Sequence, residues 1–244
     1  MDRGGRGASL LSRTTGLLVL SEKCLRAADE RAWDGWQHAV RLPALGGARG
    51  AWVATRFELA ARPQPGMPGL GFTHVTIVEL DGVDVADAAS RVLDAEERLL
   101  DADRDDAGAA AHAVIDASLF AAHGPHADKP EPSDALRGHI LAHVMCNDPA
   151  REAEWDTWYD EQHVPDMLAC GAFGAMTRWQ RTPRRRSGTN HLTLYDVACP
   201  TVEEAVERSA AVMPGLVERG RKHPCHTGGL TLTLRPMVPP TPPL

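Results

Sequence analysis

The chain is written twice. Residues 16–58 lie over 138–180 without a gap, matching Gly16 with Gly138, Cys24 with Cys146, Glu30 with Glu152, Trp33 with Trp155, Asp34 with Asp156, Trp36 with Trp158, Pro43 with Pro165 and Arg56 with Arg178. A second block lays 74–99 over 191–216, matching His74 with His191, Thr76 with Thr193, Val85 with Val202, Arg91 with Arg208 and Leu99 with Leu216. The offset changes because the first copy carries a longer loop between the blocks. Repeats of roughly 100 residues are too long for a solenoid and the right size for two similar small domains. The division expected is a first repeat over 10–122, a linker over 123–137, a second repeat over 138–238 and a Pro-rich tail over 239–244.

Each copy reads as strand, helix, strand, strand, helix, strand. In the first, strands are expected over 17–23, 51–58, 72–80 and 112–120, with helices over 27–42 and 84–100. In the second, the first strand covers 139–145. A helix over 149–163 follows, with Trp155, Trp158, Tyr159 and Gln162 at helical spacing and acidic residues in its early turns. Pro165 should end or bend that helix. Strands near 175–181 and 191–197, a helix over 201–219 and a strand over 230–234 complete the copy. Arg62 to Gly69, rich in Pro and Gly, reads as a loop or lid, and Arg184 to Arg186 as a basic turn.

A βαββαβ unit is the ferredoxin-like split βαβ, an antiparallel sheet with two helices on one face. The other face needs a cover, and a second copy supplies it most simply. The fold class expected is therefore α+β, two tandem ferredoxin-like repeats forming an intrachain dimeric α/β-barrel.

Composition narrows the function. A net charge of −7 argues against a general nucleic-acid partner. The apolar run Gly16 to Leu20 is too short to cross a bilayer or to form a signal-peptide core, so a cytoplasmic location with no membrane partner is expected. Five cysteines without C-x-x-C spacing suggest neither a disulfide framework nor a zinc knuckle, and they read as reduced, mostly buried thiols. The matched pair Cys24 and Cys146 reads as packing.

The stretch Glu154-Trp155-Asp156-Thr157-Trp158-Tyr159-Asp160-Glu161-Gln162-His163-Val164-Pro165-Asp166-Met167-Leu168, followed by Gly171-Ala172-Phe173 and Thr177-Arg178-Trp179, resembles the W-Y-x-x-x-H-x-P pattern of EthD-like proteins in the dimeric α/β-barrel superfamily. Members usually pair two identical chains, whereas this one looks like a covalent pseudo-dimer, and a homodimer of such pseudo-dimers is compatible with it. The resemblance implies a broad range of activities: isomerases, cyclases, dehydratases and decarboxylases without cofactors, quinone-forming monooxygenases, and some haem enzymes. Fold alone does not choose among them.

The site is sought where the copies differ. Trp155, Tyr159 and His163 fall at i, i+4, i+8 along one side of a helix, while the first copy has Trp33, Gln37 and Arg41. On the first strand of the second copy His139 and His143 share a face, against Leu17 and Ser21 in the first. His163 is expected to act as general acid and base, Tyr159 as its partner and Arg178 as an anion stabiliser, with His139, His143, His191, Trp158 and His74 lining the substrate. The structural readings stand beside these. His163 capping a helix end, the shared His74 and His191 serving the fold, Arg56 and Arg178 forming a symmetric salt bridge and the tryptophans filling the core each explain the same residues.

No metal is expected. His139 and His143 stand about 13 Å apart on a strand and no H-E-x-x-H signature is present, although one of them joined by His163 and His191 could still coordinate a metal. No cofactor is expected either. The function expected is a cofactor-independent lyase or isomerase, working by dehydration, decarboxylation or cyclisation on a polyketide-like or aromatic small molecule. The alternatives are an oxygen-using monooxygenase of the same fold, cofactor-free or haem-dependent, and a non-catalytic small-molecule binder.

Overall fold

In the computed structural model, residues 14–60, 69–128 and 137–237 are described. The chain divides into two compact units, one over Arg13–Ala121 joined by Pro236 and Met237, the other over Ala122–Arg235. Arg62 to Pro68 of the expected lid, residues 129–136 of the expected linker and the tail 239–244 lie outside the described residues. The earlier part of that linker is not free: Ala127–Asp128 forms a short strand on Met176 and Ala175.

In the first unit, β1 (Gly16–Cys24) is followed by a helical run of α1 (Glu30–Trp36), a π turn (Gln37–Arg41) and α2 (Leu42–Gly46). Then come β2 (Ala51–Leu59), β3 (His74–Leu80), α3 (Val85–Ala102), the short α4 (Ala107–Ala110) and β4 (His112–Ala122). The strands lie in the order β4-β1-β3-β2, all antiparallel. β3 is buried along its whole length and β1 over its first seven residues, which is why both read as near-continuous apolar runs rather than as alternation.

The second unit repeats the plan. After β5 (Ala127–Asp128) come β6 (His139–Cys146), then α5 (Glu152–Trp158), a π turn (Tyr159–His163) and α6 (Val164–Ala169). β7 (Phe173–Arg181), β8 (His191–Val197), α7 (Val202–Glu218) and β9 (His226–Pro236) complete it, with the order β9-β6-β8-β7-β5. Each unit is thus the α+β ferredoxin-like βαββαβ expected. The long helices start on side-chain caps, Asp84 accepting from the Asp87 N–H at 3.0 Å and Thr201 from the Glu204 N–H at 3.2 Å.

The repeated glycine at the start of each sheet has a steric reason. A Cβ at Gly16 would stand 2.2 Å from Val85 Cγ1, and one at Gly138 2.3 Å from Val202 Cγ1. Both valines open the second helix of their copy, so the glycine lets helix and strand approach.

Three local expectations change. Pro43 and Pro165 do not end their helices. Each run passes through a π turn and continues past the proline as α2 or α6. The fourth strands, expected over 112–120 and 230–234, are longer and equal in length, His112–Ala122 and His226–Pro236. Cys24, Cys146 and Cys170 are half-buried rather than buried, though all five cysteines are free thiols. Cys24 and Cys146 each donate to a carbonyl two residues on, Arg26 O and Asp148 O, both at 3.1 Å, so the matched pair closes a turn instead of filling the core. The tryptophans do fill it: Trp33 and Trp155 are fully buried. Among the described residues no helix is long and apolar enough to cross a membrane.

Candidate functional site

In the second unit the run from α5 through its π turn lies on the face of β8 that carries His191, Thr193 and Tyr195. The period of two along β8 brings these three side chains to one side. Trp155 packs edge-on against His191 at 4.9 Å, and the Tyr159 hydroxyl meets Thr193 Oγ1 at 2.8 Å and the Tyr195 hydroxyl at 3.2 Å. His163 Nε2 lies 3.3 Å from that same Tyr195 hydroxyl. A continuous polar chain therefore runs from half-buried His163 through Tyr195 and Tyr159 to fully buried Thr193.

Aromatic rings enclose this chain. His163 lies 4.6 Å from Tyr159, 5.2 Å from Trp158 and 5.7 Å from His226, centre to centre. His226 stacks on Trp155 at 13° and accepts from its indole N–H at 3.3 Å. Trp158 donates its own indole N–H to Arg221 O at 2.8 Å, which fixes the ring beside His163.

Burial sets the charge states. It pushes His163 down to about 3, with His226 and Arg178 adding like charge, and His226 down to about 4. Burial pushes the Tyr159 phenol up and the Tyr195 phenol well up. At neutral pH the cluster is two neutral imidazoles and two protonated phenols.

Arg178 lies beneath it, with its guanidinium 4.5 Å from the centre of the Tyr159 ring. Both of its terminal nitrogens are engaged, NH1 with Asp160 Oδ1 at 2.6 Å and NH2 with Asp156 Oδ1. The guanidinium is thus paired with two carboxylates, in keeping with the salt-bridge reading of the matched arginines. In the first unit Arg56 pairs with Asp34 through NH1 alone, at 2.8 Å.

The remaining expected residues separate. The register pairs His139 with Asp196, Leu141 with Leu194 and His143 with Leu192. Directly opposed residues share a face, so His139 and His143 stand on the side of the sheet away from His191, Thr193 and Tyr195. They do not join His163, and His139 Nδ1 is held 3.0 Å from Asp196 instead. His74 belongs to the first unit, edge-on to Trp33 at 4.9 Å as His191 is to Trp155. His163 sits in the middle of the helical run, which continues to Ala169, so it caps no helix end.

The first unit shows what replaced the chain. Arg41, at the position of His163, is fully buried and pairs with Glu22 at 2.8 Å and Glu96 at 2.6 Å. Gln37, at the position of Tyr159, accepts from Arg41 at 2.9 Å, and Thr76, at the position of Thr193, donates to Glu22 at 2.8 Å. The equivalent space is filled by a closed ion network.

Two members of the cluster escaped the sequence reading. Tyr195 corresponds to Val78 and is private to the second copy, a signal the repeat alignment contains but does not rank. His226 corresponds to His112, which accepts from Trp33 Nε1 at 3.1 Å as His226 does from Trp155. Seeing that match needs a third offset, across the two fourth strands.

No protein-family model matches the sequence, and no curated protein does. Solved structures match nearly end to end. A candidate monooxygenase from Fusobacterium nucleatum aligns over 92% of this chain and 94% of its own at 11% identity, with a TM-score of 0.56. An anthrone oxidase-like protein aligns over 95% and 94% at 10% identity with a TM-score of 0.58. A haem-complexed DypB variant from Rhodococcus jostii aligns over 94% and 96% at 11% identity with a TM-score of 0.57. These likenesses show the fold alone, an α+β fold of the ferredoxin-like dimeric α/β-barrel type.

Proposed function

We propose that the second unit carries a cofactor-independent acid/base site of the EthD-like kind, a lyase or isomerase acting on a polyketide-like or aromatic small molecule. One observation carries the reading: where the first copy holds a closed ion network, the second holds the neutral chain His163, Tyr195, Tyr159 and Thr193. The contact between His163 Nε2 and the Tyr195 hydroxyl ties the imidazole to the phenols, and in the tautomer that donates from Nε2 the base is Nδ1. An imidazole whose protonated form is disfavoured by burial holds a proton only briefly. A neutral resting imidazole can take a proton from one substrate atom and return it to another, as enolisation, dehydration or cyclisation requires. Arg178, paired with Asp156 and Asp160, supports Tyr159 electrostatically. Stacked tryptophan and histidine rings favour a flat, partly apolar substrate.

A second reading, an oxygen-using monooxygenase, draws on the names of two solved structures of this fold. Its haem-dependent form draws on the haem named in a third solved structure of this fold. The deciding experiment incubates the protein with flat polycyclic and β-carbonyl aromatic substrates, with and without oxygen, and follows products by mass spectrometry. Oxygen-independent product that disappears in His163→Ala, while circular dichroism is unchanged, is the expected result. Product that survives the substitution removes His163 from the role, and product that needs oxygen gives the second reading.

A further inference from the structure

A second group of donors surrounds Arg178, outside the proton chain. His123 Nε2 lies 3.1 Å from Asp156 Oδ1, and the His123 and His191 rings stand 5.1 Å apart. His123, Asp156 and His191 each bring one ligand atom to within 4.8 Å of the others. His191 is 3% exposed; Glu152 Oε1 holds its Nε2 at 2.7 Å, and its Nδ1 is buried without a hydrogen-bond partner. An imidazole whose one nitrogen donates to a carboxylate presents the lone pair of the other, the outer-shell arrangement typical of metal-bound histidines. A buried nitrogen with no partner calls for an explanation in any fold.

We propose that His123, Asp156 and His191 form a site for one divalent transition-metal ion of the zinc or iron class, with Glu152 orienting His191. Two imidazoles and a carboxylate are the donors these ions take, and three protein ligands leave positions for solvent or a small ligand. The surrounding charge favours a cation, because among the described residues the three carboxylates of Asp156, Asp160 and Glu152 pair with two arginines, Arg178 and Arg184. Asp156 meets both His123 and Arg178 through Oδ1, so Oδ2 lies outside these contacts. Gly124, at φ +74, turns the chain directly after His123. A Cβ there would stand 3.3 Å from the Asp160 carboxylate, so the turn packs against the same network.

The repeat gives the stoichiometry. Asp156 and His191 have counterparts in Asp34 and His74, but His123 has none of its kind. The His123 N–H donates to Arg178 O at 2.9 Å exactly as the Met237 N–H donates to Arg56 O at 3.0 Å, so the first unit has a thioether where the second has an imidazole. One ion per chain follows. The expectation of no metal rests on the spacing of His139 and His143, and His123 falls in the apparent linker, where sequence spacing gives no hint of a ligand. The site shares no residue with the chain from His163 to Thr193, and its test is independent of turnover.

Full-length protein is stripped with a chelator, then titrated with Zn²⁺ against a chromogenic competitor, and with Fe²⁺ under anaerobic conditions. One saturable equivalent is expected. His123→Ala, at a partly exposed position, loses it, and Glu152→Gln weakens it about 10- to 100-fold. His163→Ala binds as tightly as the parent protein. Thermal melts show that the variants are folded. Absence of a saturable equivalent with either ion, or equal affinity in His123→Ala, overturns the proposal.

Discussion

Tyr195 ties His163 to Tyr159, and its phenol is the group the chain most depends on. Replacing it with Phe removes the oxygen that lies 3.3 Å from His163 and 3.2 Å from Tyr159, while the ring keeps its packing on Phe173 at 4.8 Å and Tyr159 keeps Thr193. The stability loss expected is about 2 kcal/mol, that of two hydrogen bonds. The loss in turnover expected is about a hundredfold or more, because His163 loses its tie to the phenols. A melt shift with unchanged turnover would take Tyr195 out of the mechanism. Tyr159 and His163 were legible because the first copy has Gln37 and Arg41 at their positions, a change of chemistry on a shared frame. His139 and His143 were equally private to the second copy, yet they lie on the other face. Which side of a sheet meets the helix is set by packing, and the period of two does not reveal it.

The π turns explain why both copies keep a proline in mid-helix. In an α-helix the nitrogen of Pro165 would have to donate to Glu161 O, and its ring would press on that carbonyl. The preceding N–H, Val164, bonds instead to Tyr159 O, five residues back, as Leu42 bonds to Gln37 O before Pro43. One wide turn accommodates the proline and sets the direction in which His163 leaves the helix. In Pro165→Ala the run is free to close to α. The expected result is a melting temperature equal to or above that of the parent, with turnover lowered by displacement of His163. Full activity in that variant would show that the turn does not aim the imidazole. Pro43→Ala serves as the control, since the first unit holds Arg41 there. The order of strands and helices was legible from apolar runs and caps, whereas these turns were not. A proline reads locally as a stop, and only the burial of Leu45 and Met167 beyond it carries each helix on.

At the scale of the whole molecule, two copies of one frame have taken opposite electrostatic solutions, and the difference shows in acid. The first unit buries charge that is paired: Arg41 sits between Glu22 and Glu96, and its guanidinium together with His112 holds the Glu96 carboxyl below its usual range despite burial. Such a carboxylate keeps its contribution until the pH falls beneath the carboxylate range. The second unit buries neutral imidazoles. Burial places His163 at about 3 and His226 at about 4 against 6.5 in an unfolded chain, and His74 of the first unit falls to about 4 for the same reason. Between these limits the unfolded chain binds more protons than the native one, so stability is complete above about pH 6.5 and declines as the pH falls toward 4. Denaturant midpoints measured from pH 7.5 to 4.5 should therefore fall well before the carboxylates titrate. The slope should flatten in His163→Gln, which carries no titratable ring. A midpoint constant down to pH 4.5 would mean that the native imidazoles take up protons as freely as the unfolded ones. His163 would then stay protonated in acid and act as a proton store, not as the transient carrier that a lyase or isomerase needs.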